Sequence, residues 1–356
     1  MAACSADRVD DLPPWGSRPV PKEGIKRILI IRPGGIGDAT LTFPMIRALR
    51  DFYAEATIDV LGERRNAGIY RINNLVHEVY CYDDRPFSTL LYLARHHYNI
   101  VVDTEQYHYL SSVVANYLRP DYICGFDTLG RGRFQTHRVR YTEQAYDVYF
   151  FLSLATAIIG KPIAFDPDQP FLEVDARWLD WADRVLAFNG NRPVVVIVPG
   201  ASTPHRIWPP ARYAEVVRWL VRQGFFVVIL GEKDALRTSR QIAGVYDRRD
   251  LLNLVGQTSL GQTAGIIRRA RLYVSADTGA LHIAYGVGTP TVHMFGSGIQ
   301  EKWAPPGNKY LVVNKRLPCS PCTRYGYTPP CPYGVACMDA ISVEDVIAAI
   351  EEVLRR

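Results

Sequence analysis

No apolar run in this 356-residue chain reaches the ~18 residues that a membrane-spanning helix needs, which excludes one. Residues Met1 to Glu23 also lack the apolar core of a secretory signal; they are polar and carry Pro13, Pro14, Pro19 and Pro21. Cys4 lacks the apolar stretch that a lipid-anchor signal places before its cysteine. The expectation is a loose extension over residues 1–24 and a chain that stays in the cytoplasm. Neither sign of charge dominates: the net charge of +5 permits attraction to acidic lipid headgroups or phosphorylated sugars and makes no case for nucleic acid. Seven cysteines in such a chain argue against a disulfide framework and leave metal binding or plain burial. No short-period repeat is present. At 48% hydrophobic and 22% charged, the composition is that of an ordinary globular protein, and the length points to two domains.

What is present begins with Arg27-Ile-Leu-Ile-Ile-Arg-Pro-Gly-Gly-Ile-Gly-Asp38. Ile28 to Ile31 read as a buried parallel strand, Gly34, Gly35 and Gly37 as a tight turn, and Leu41, Met45, Ile46 and Leu49 as one face of a helix. Strand, glycine turn and helix make the nucleotide-fold device, but this turn carries the carboxylate of Asp38 at the helix start. Free backbone N–H groups there attract anions, and a carboxylate competes with phosphate for them. The turn is therefore read as presenting a base. Strands are expected at 28–31, 57–61, 78–81, 100–103 and 122–126, and helices at 39–52, 87–96, 109–118 and 146–159. This alternation makes parallel βαβ units. Gly160-Lys-Pro-Ile-Ala-Phe-Asp-Pro-Asp-Gln-Pro170 interrupts it and reads as a linker, with a first domain over 25–165 and a second over 166–356. The alternation then resumes, with strands at 194–198, 225–230, 251–255, 272–274 and 291–295. Helices are expected at 177–188, 211–223, 235–246, 260–269 and 280–286, and a closing helix at 343–354. The fold class is α/β, two doubly wound Rossmann-like halves with ligands at the carboxyl ends of the strands.

Several constellations could carry chemistry. In Val198-Pro-Gly-Ala-Ser-Thr-Pro-His-Arg-Ile-Trp-Pro209, Gly200, Ser202 and Thr203 offer backbone and hydroxyl donors and Arg206 a planar guanidinium suited to phosphate; Trp208 reads as a packing anchor. The same loop also reads as an ordinary connection with an exposed arginine. In Ala276-Asp-Thr-Gly-Ala-Leu-His-Ile-Ala284, Asp277, Thr278 and Gly279 open a helix whose N–H groups suit phosphate, and His282 stands one turn from Thr278. A capped helix with a core histidine fits the same residues. Glu232 follows a strand where a carboxylate accepts from ribose hydroxyls, or stands solvated at a helix start. The basic stretch Arg131, Arg133, Arg138 and Arg140 reads as solvated surface or as an acceptor-binding loop. Cys319, Cys322, Cys331 and Cys337, spaced C-x2-C-x8-C-x5-C in the loop 319–337, admit a structural zinc knot and equally free or oxidisable thiols.

In chain order, Arg32-Pro-Gly-Gly-Ile-Gly-Asp38, Pro199-Gly-Ala-Ser with Arg206-Ile-Trp-Pro209, Ser275-Ala-Asp-Thr-Gly-Ala-Leu-His282 and the stretch from Gly288-Thr-Pro290 to Phe295-Gly296 resemble glycosyltransferase family 9, the heptosyltransferases of lipopolysaccharide core synthesis. The resemblance runs from about Lys26 to the closing helix. It implies a GT-B fold, two Rossmann-like domains facing a central cleft, with the nucleotide-sugar donor on the second domain and the acceptor on the first. It implies an inverting, metal-independent transfer without a required cofactor, with ADP-heptose as donor and a lipopolysaccharide-core or related glycan as acceptor. By motif match Asp38 stands at the general base and Gly35 beside it on the acceptor side. Arg206 stands where the family often carries a lysine on the donor phosphates, Ser202 replaces a common threonine, and Asp277, Thr278, Gly279 and His282 match the diphosphate and sugar stretch. No Asp-x-Asp pair stands in a metal-binding context. The implied site is cytoplasmic and allows peripheral contact with the inner membrane. A nucleotide-sugar epimerase of the same shape and a non-catalytic nucleotide-sugar-binding module are the alternatives.

Overall fold

A computed structural model describes residues 18–201, 203–244 and 246–356. The chain forms two compact units, one ending at Asp166 and the next beginning at Pro167.

The first unit runs β1 (Arg27–Ile31), α1 (Ile36–Leu41), α2 (Phe43–Phe52), β2 (Thr57–Gly62), α3 (Arg64–Ala67), β3 (Glu78–Cys81), α4 (Pro86–Arg95), β4 (Ile100–Asp103), α5 (Leu110–Tyr117), β5 (Tyr122–Phe126), β6 (His137–Val139) and α6 (Asp147–Ile159). Its strands form one parallel sheet in the order β3-β2-β1-β4-β5-β6. Ile28 sits opposite Ile58 of β2 and Ile100 of β4. The apolar run of β1 follows from this placement, because a central parallel strand is covered on both faces and Ile28, Leu29 and Ile30 have no exposed surface. From β1 the chain winds outward through β2 and β3, then returns to β4 on the other side and continues to β6. The reversal leaves a crevice at the carboxyl ends of β1 and β4.

The second unit repeats the plan with α7 (Ala176–Leu186), β7 (Val194–Val198), α8 (Pro210–Arg222), β8 (Phe226–Ile229), α9 (Leu236–Ala243), β9 (Leu251–Asn253), α10 (Leu260–Arg269) and β10 (Leu272–Ala276). It continues with α11 (Gly279–Gly286), β11 (Thr291–Met294), α12 (Gln300–Trp303), β12 (Tyr310–Val313), α13 (Ala336–Asp339) and α14 (Val343–Arg355). The order β12-β11-β10-β7-β8-β9 puts this unit's reversal between β7 and β10, where Val195 lies opposite Leu272.

Two local expectations are corrected. The single helix expected over 39–52 is two, α1 and α2, separated at Thr42. Pro44 explains the break: it has no N–H to donate and its ring would clash one turn back, so it sits in the first turn of a new helix. The basic stretch 131–140 is not one loop. It holds a turn of 3-10 helix over Arg131–Phe134 and the edge strand β6.

The second unit depends on a close helix contact. α10 lies on α7 so tightly that a Cβ built at Gly265 would strike the backbone carbonyl of Trp178. Alanine would gain ~1 kcal/mol of helix propensity there but force a backbone shift costing ~1–3 kcal/mol. Gly265→Ala should therefore lower the urea midpoint of unfolding; a raised midpoint would mean that the helices separate freely.

Candidate functional site

In the first unit, the glycine turn after β1 is built around Arg32 and Asp38. Arg32 prolongs the ladder, its N–H donating to the carbonyl of Leu61 at 2.9 Å. Its side chain is only 3% exposed and crosses the β1/β4 crevice, Nη1 donating to the Thr104 carbonyl at 2.7 Å. Nη2 stands 3.6 Å from Asp38 Oδ2, and the guanidinium lies 5.5 Å from the centre of the Phe151 ring. Burial works against the Arg32 charge, but Asp38 and Glu105 outweigh it and raise its pKa, so it remains a cation. Asp38 sits in the first turn of α1, its side chain 28% exposed. It is thus held by a buried cation on one side and open to solvent on another.

Gly34, with φ +102°, supplies the left-handed turn that aims this carboxylate. Gly35 starts α1 in an extended conformation. Asn66, fully buried, clamps the turn: Nδ2 donates to the carbonyls of Arg32 at 3.0 Å and Gly34 at 3.1 Å, and Oδ1 accepts the Glu63 N–H at 2.9 Å. Glu63 Oε1 accepts from the Gly34 N–H at 3.0 Å and the Tyr82 hydroxyl at 2.5 Å. Arg32, Glu63 and Asn66 were not assigned from sequence; only Arg32, inside the motif itself, carried a signal.

Arg131 is a correction. It is fully buried and engaged inside the unit, donating to Asp103, to Ser111 and Ser112, and to the carbonyl of Glu105, so it presents no surface to an acceptor molecule. A buried cation needs a paired carboxylate, and Asp103 at the end of β4 supplies it. Arg133, Arg138 and Arg140 are exposed, Arg133 over the Phe134 ring. They lie on or beside edge strand β6, three strand spacings from β1, about 14 Å of backbone separation. The structure does not gather them at Asp38.

In the second unit, the loop after β7 and the turn after β10 meet across the other crevice. Arg206 Nη1 stands 3.1 Å from Asp277 Oδ2, the side chains 16% and 3% exposed. The pair is electrostatic without hydrogen-bond alignment: Asp277 Oδ2 and Arg206 Nε are both buried and neither makes a hydrogen bond. The guanidinium lies 4.9 Å from the Trp303 ring centre. Thr203 Oγ1, on the loop after β7, and Ser297 Oγ, on the segment after β11, are two more buried hydroxyl oxygens without a hydrogen-bond partner. Buried polar groups of this kind are costly unless something pairs with them. Thr278 caps α11, its Oγ1 accepting the Leu281 N–H at 3.3 Å, and Gly279 opens that helix. His282 is 4% exposed and edge-on to Tyr285. Gly200 packs its Cα side against Ala235, 3.0 Å from where a Cβ would stand. Trp208 is the anchor behind the loop: it is fully buried, with Nε1 donating to the Ile341 carbonyl at 3.0 Å. Glu232 is exposed, one strand over at the end of β8. Ser202 lies outside the described residues.

The stretch Gly296-Ser-Gly298 lies against both the site and the cysteine loop. A Cβ at Gly298 would strike Asp277 Oδ2, and one at Gly296 would meet Met338 Sδ at 2.7 Å and Cys337 Sγ at 2.8 Å. The N–H groups of Cys322 and Thr323 donate to the Ser297 carbonyl at 3.2 and 3.0 Å. Cys319, Cys322, Cys331 and Cys337 line one cavity of about 70 Å³ with His205. All four are free thiols, and burial pushes Cys322 and Cys337 above the usual thiol range. Among the described residues no three His, Cys, Asp or Glu side chains are set to hold a metal ion. The zinc expectation therefore finds no formed ligand set among the described residues. What the loop does here is buttress Ser297.

A family model described as glycosyltransferase family 9 (heptosyltransferase) matches residues 90–331. Lipooligosaccharide heptosyltransferase 2 of Haemophilus ducreyi is 25% identical over 310 residues, covering 81% of this chain and 88% of that protein. The structure of Escherichia coli ADP-heptose lps heptosyltransferase II superposes with a TM-score of 0.73 at 21% identity, over 92% of this chain and 98% of that one. The family 9 glycosyl transferase of Veillonella parvula gives 0.75 at 19% identity, over 93% and 97%. These likenesses identify the fold as GT-B.

The clamp on the glycine turn predicts a pH signature. Burial raises the pKa of Glu63, but hydrogen bonds from Tyr82, Arg65 and Gly34 outweigh it and leave it below the usual carboxylate value. A group depressed in the folded state stabilises above its unfolded pKa of ~4.3 and loses that contribution as pH falls through the folded value. The stability gap between wild type and Glu63→Gln should be widest at neutral pH and close below about pH 4. Urea titrations at neutral and acid pH measure it; a gap independent of pH would refute the clamp.

Proposed function

The chain belongs to glycosyltransferase family 9, and on that footing we propose that it transfers heptose from ADP-heptose to a hydroxyl of a lipopolysaccharide-core acceptor, with inversion. Membership makes it an enzyme of the glycosyltransferase class, ahead of the epimerase and binding-module alternatives. Heptosyltransferase 2 of Haemophilus ducreyi and the Escherichia coli ADP-heptose enzyme support the choice of sugar and donor. The reaction is placed in the cytoplasm, at the inner face of the membrane that holds the acceptor.

The observation that carries the reading is the buried Arg206–Asp277 pair at the start of α11, bordered by polar atoms without hydrogen-bond partners. A nucleoside diphosphate brings the anionic oxygens that those donors and the α11 N–H groups accommodate. Asp277 holds Arg206 in register while the misaligned contact leaves the guanidinium N–H groups for phosphate. Gly200 keeps the loop backbone open to the donor, with Thr203 and Ser202 on the diphosphate, His282 toward the sugar and Glu232 toward the ribose. Gly35, Arg133, Arg138 and Arg140 are kept on the acceptor side.

The chemistry divides between the units. The acceptor oxygen forms a bond to the anomeric carbon from the face opposite the diphosphate. The bond between that carbon and the diphosphate oxygen breaks, and the acceptor proton passes to the Asp38 carboxylate. Charge gathers on the departing diphosphate, where Arg206 and the helix start stabilise it. Arg32 fixes one carboxylate oxygen of Asp38, so the group is oriented before the acceptor arrives.

Asp38→Asn keeps the shape of the side chain and removes the base. Transfer to a core acceptor should fall about 10²–10⁴-fold while ADP affinity stays within about twofold. Mass-spectrometric assay of the product with parallel ADP titration tests this; an Asp38→Asn enzyme of wild-type rate would remove Asp38 from the mechanism.

A further inference from the structure

Thirteen large apolar or aromatic side chains stand exposed among the described residues, and eight of them lie between positions 87 and 129. Phe87 is 83% exposed and Leu91, one turn on, 54%, both on α4; Leu110 (62%), Val113 (53%) and Tyr117 (51%) follow the same periodicity on α5. The inner sides of both helices feed one core cluster, Leu93 from α4 with Ala115 from α5 and Leu118 just after it. Both helices therefore cover the same face of the first unit's sheet and turn these apolar residues outward. Leu129, 62% exposed, is tied to this face by the Tyr109 hydroxyl, which donates to its carbonyl.

Along α4 and α5 the exposed charge has one sign, with Asp127 beside Leu129 at the margin. From Arg85 to Arg119 the acidic residues are Asp103 and Glu105, and both are buried. Arg85 and Arg95 bracket α4 and Arg119 follows α5; all three are exposed, and no ion pair among the described residues engages them. His97 is bonded to Asp121, and the nearby Asp83 and Asp84 are taken up by Arg64. A monomer that leaves so much apolar surface open has something to bury it against. A second copy would meet the same arginines, like against like. Apolar and tyrosine side chains on two helices whose exposed charges are all cationic, with carboxylates only at the margins, match the anionic surface of a bilayer, where rings lodge among the headgroups and arginines meet phosphate.

We propose that the outer faces of α4 and α5 are a membrane-docking surface that seats the first unit on an anionic phospholipid bilayer. The proposal rests on the reading that the acceptor is lipid-borne, and it assigns the surface that brings the enzyme to it. Partition then has two parts: an electrostatic one that salt weakens and an apolar one that salt leaves.

The test is flotation of the full chain with vesicles of phosphatidylethanolamine and phosphatidylglycerol, against vesicles of phosphatidylcholine alone. Wild type should float with the anionic vesicles and only weakly with the neutral ones. Phe87→Ser with Leu110→Ser, both exposed and outside the core, should lower partition about tenfold or more while the melting temperature holds. Arg85→Gln with Arg95→Gln should remove the salt dependence. Three results would overturn the proposal: wild type that does not float, serine variants that float as well as wild type, or a wild-type dimer in sedimentation that the serine variants abolish. Transfer to core glycan freed of lipid keeps this test apart from the function itself. If wild type transfers to no acceptor, the proposed function has failed; if it transfers and the serine variants match it on vesicle-borne acceptor, the docking surface has failed.

Discussion

Each unit turns on an arginine that reaches across its own crevice. In a doubly wound sheet the chain reverses between two neighbouring strands, and their carboxyl ends leave a gap that no connection covers. Arg32 crosses it in the first unit to the carbonyl of Thr104, beyond β4. Arg206 crosses it in the second to Asp277, beyond β10. In one unit the guanidinium orients a carboxylate; in the other a carboxylate orients the guanidinium. The same topological constraint thus yields a held carboxylate and a held cation, the two groups that the proposed transfer would use.

The surroundings explain why these groups stay in place. Buried charge is expensive, and both arginines are kept by several contacts: Arg32 by Thr104, Asp38 and Phe151, Arg206 by Asp277 and Trp303. Asn66 and Glu63 stiffen the turn behind Asp38, while Trp208 anchors the loop behind Arg206. Gly298 lets the chain pass against Asp277 where no side chain would fit, and the cysteine loop holds that segment from behind. Pre-organisation of this kind places the reorganisation cost in folding and not in the catalytic step.

Much of the fold was legible because parallel strands covered on both faces must be apolar throughout. The runs 28–31, 100–103 and 194–198 say so directly and appear as β1, β4 and β7. Two of the four edge strands carry no such mark: β6 holds exposed Arg138, and β12 is half-buried, so neither is legible, whereas the edges β3 and β9 are. The break at Thr42 was written in Pro44 but masked by the apolar period running through it. The arginine-rich stretch is ambiguous because charge in sequence says nothing about its partner; Arg131 is buried against Asp103, distant in the chain and brought close where the turn after β5 lies beside the end of β4. Asp38 and Arg206 could be named as candidates, whereas the Arg32 contact and the Asn66 clamp exist only once β1, β2 and β4 lie side by side.

Binding of the diphosphate at Arg206 is the contact on which the proposed transfer most depends. Calorimetric titration of wild type and Arg206→Ala with ADP and with adenosine isolates that contact. Loss of a charge-assisted hydrogen bond to phosphate should weaken ADP about 10–100-fold and leave adenosine unchanged. Equal affinity of both proteins for ADP would contradict the assignment of the anion site.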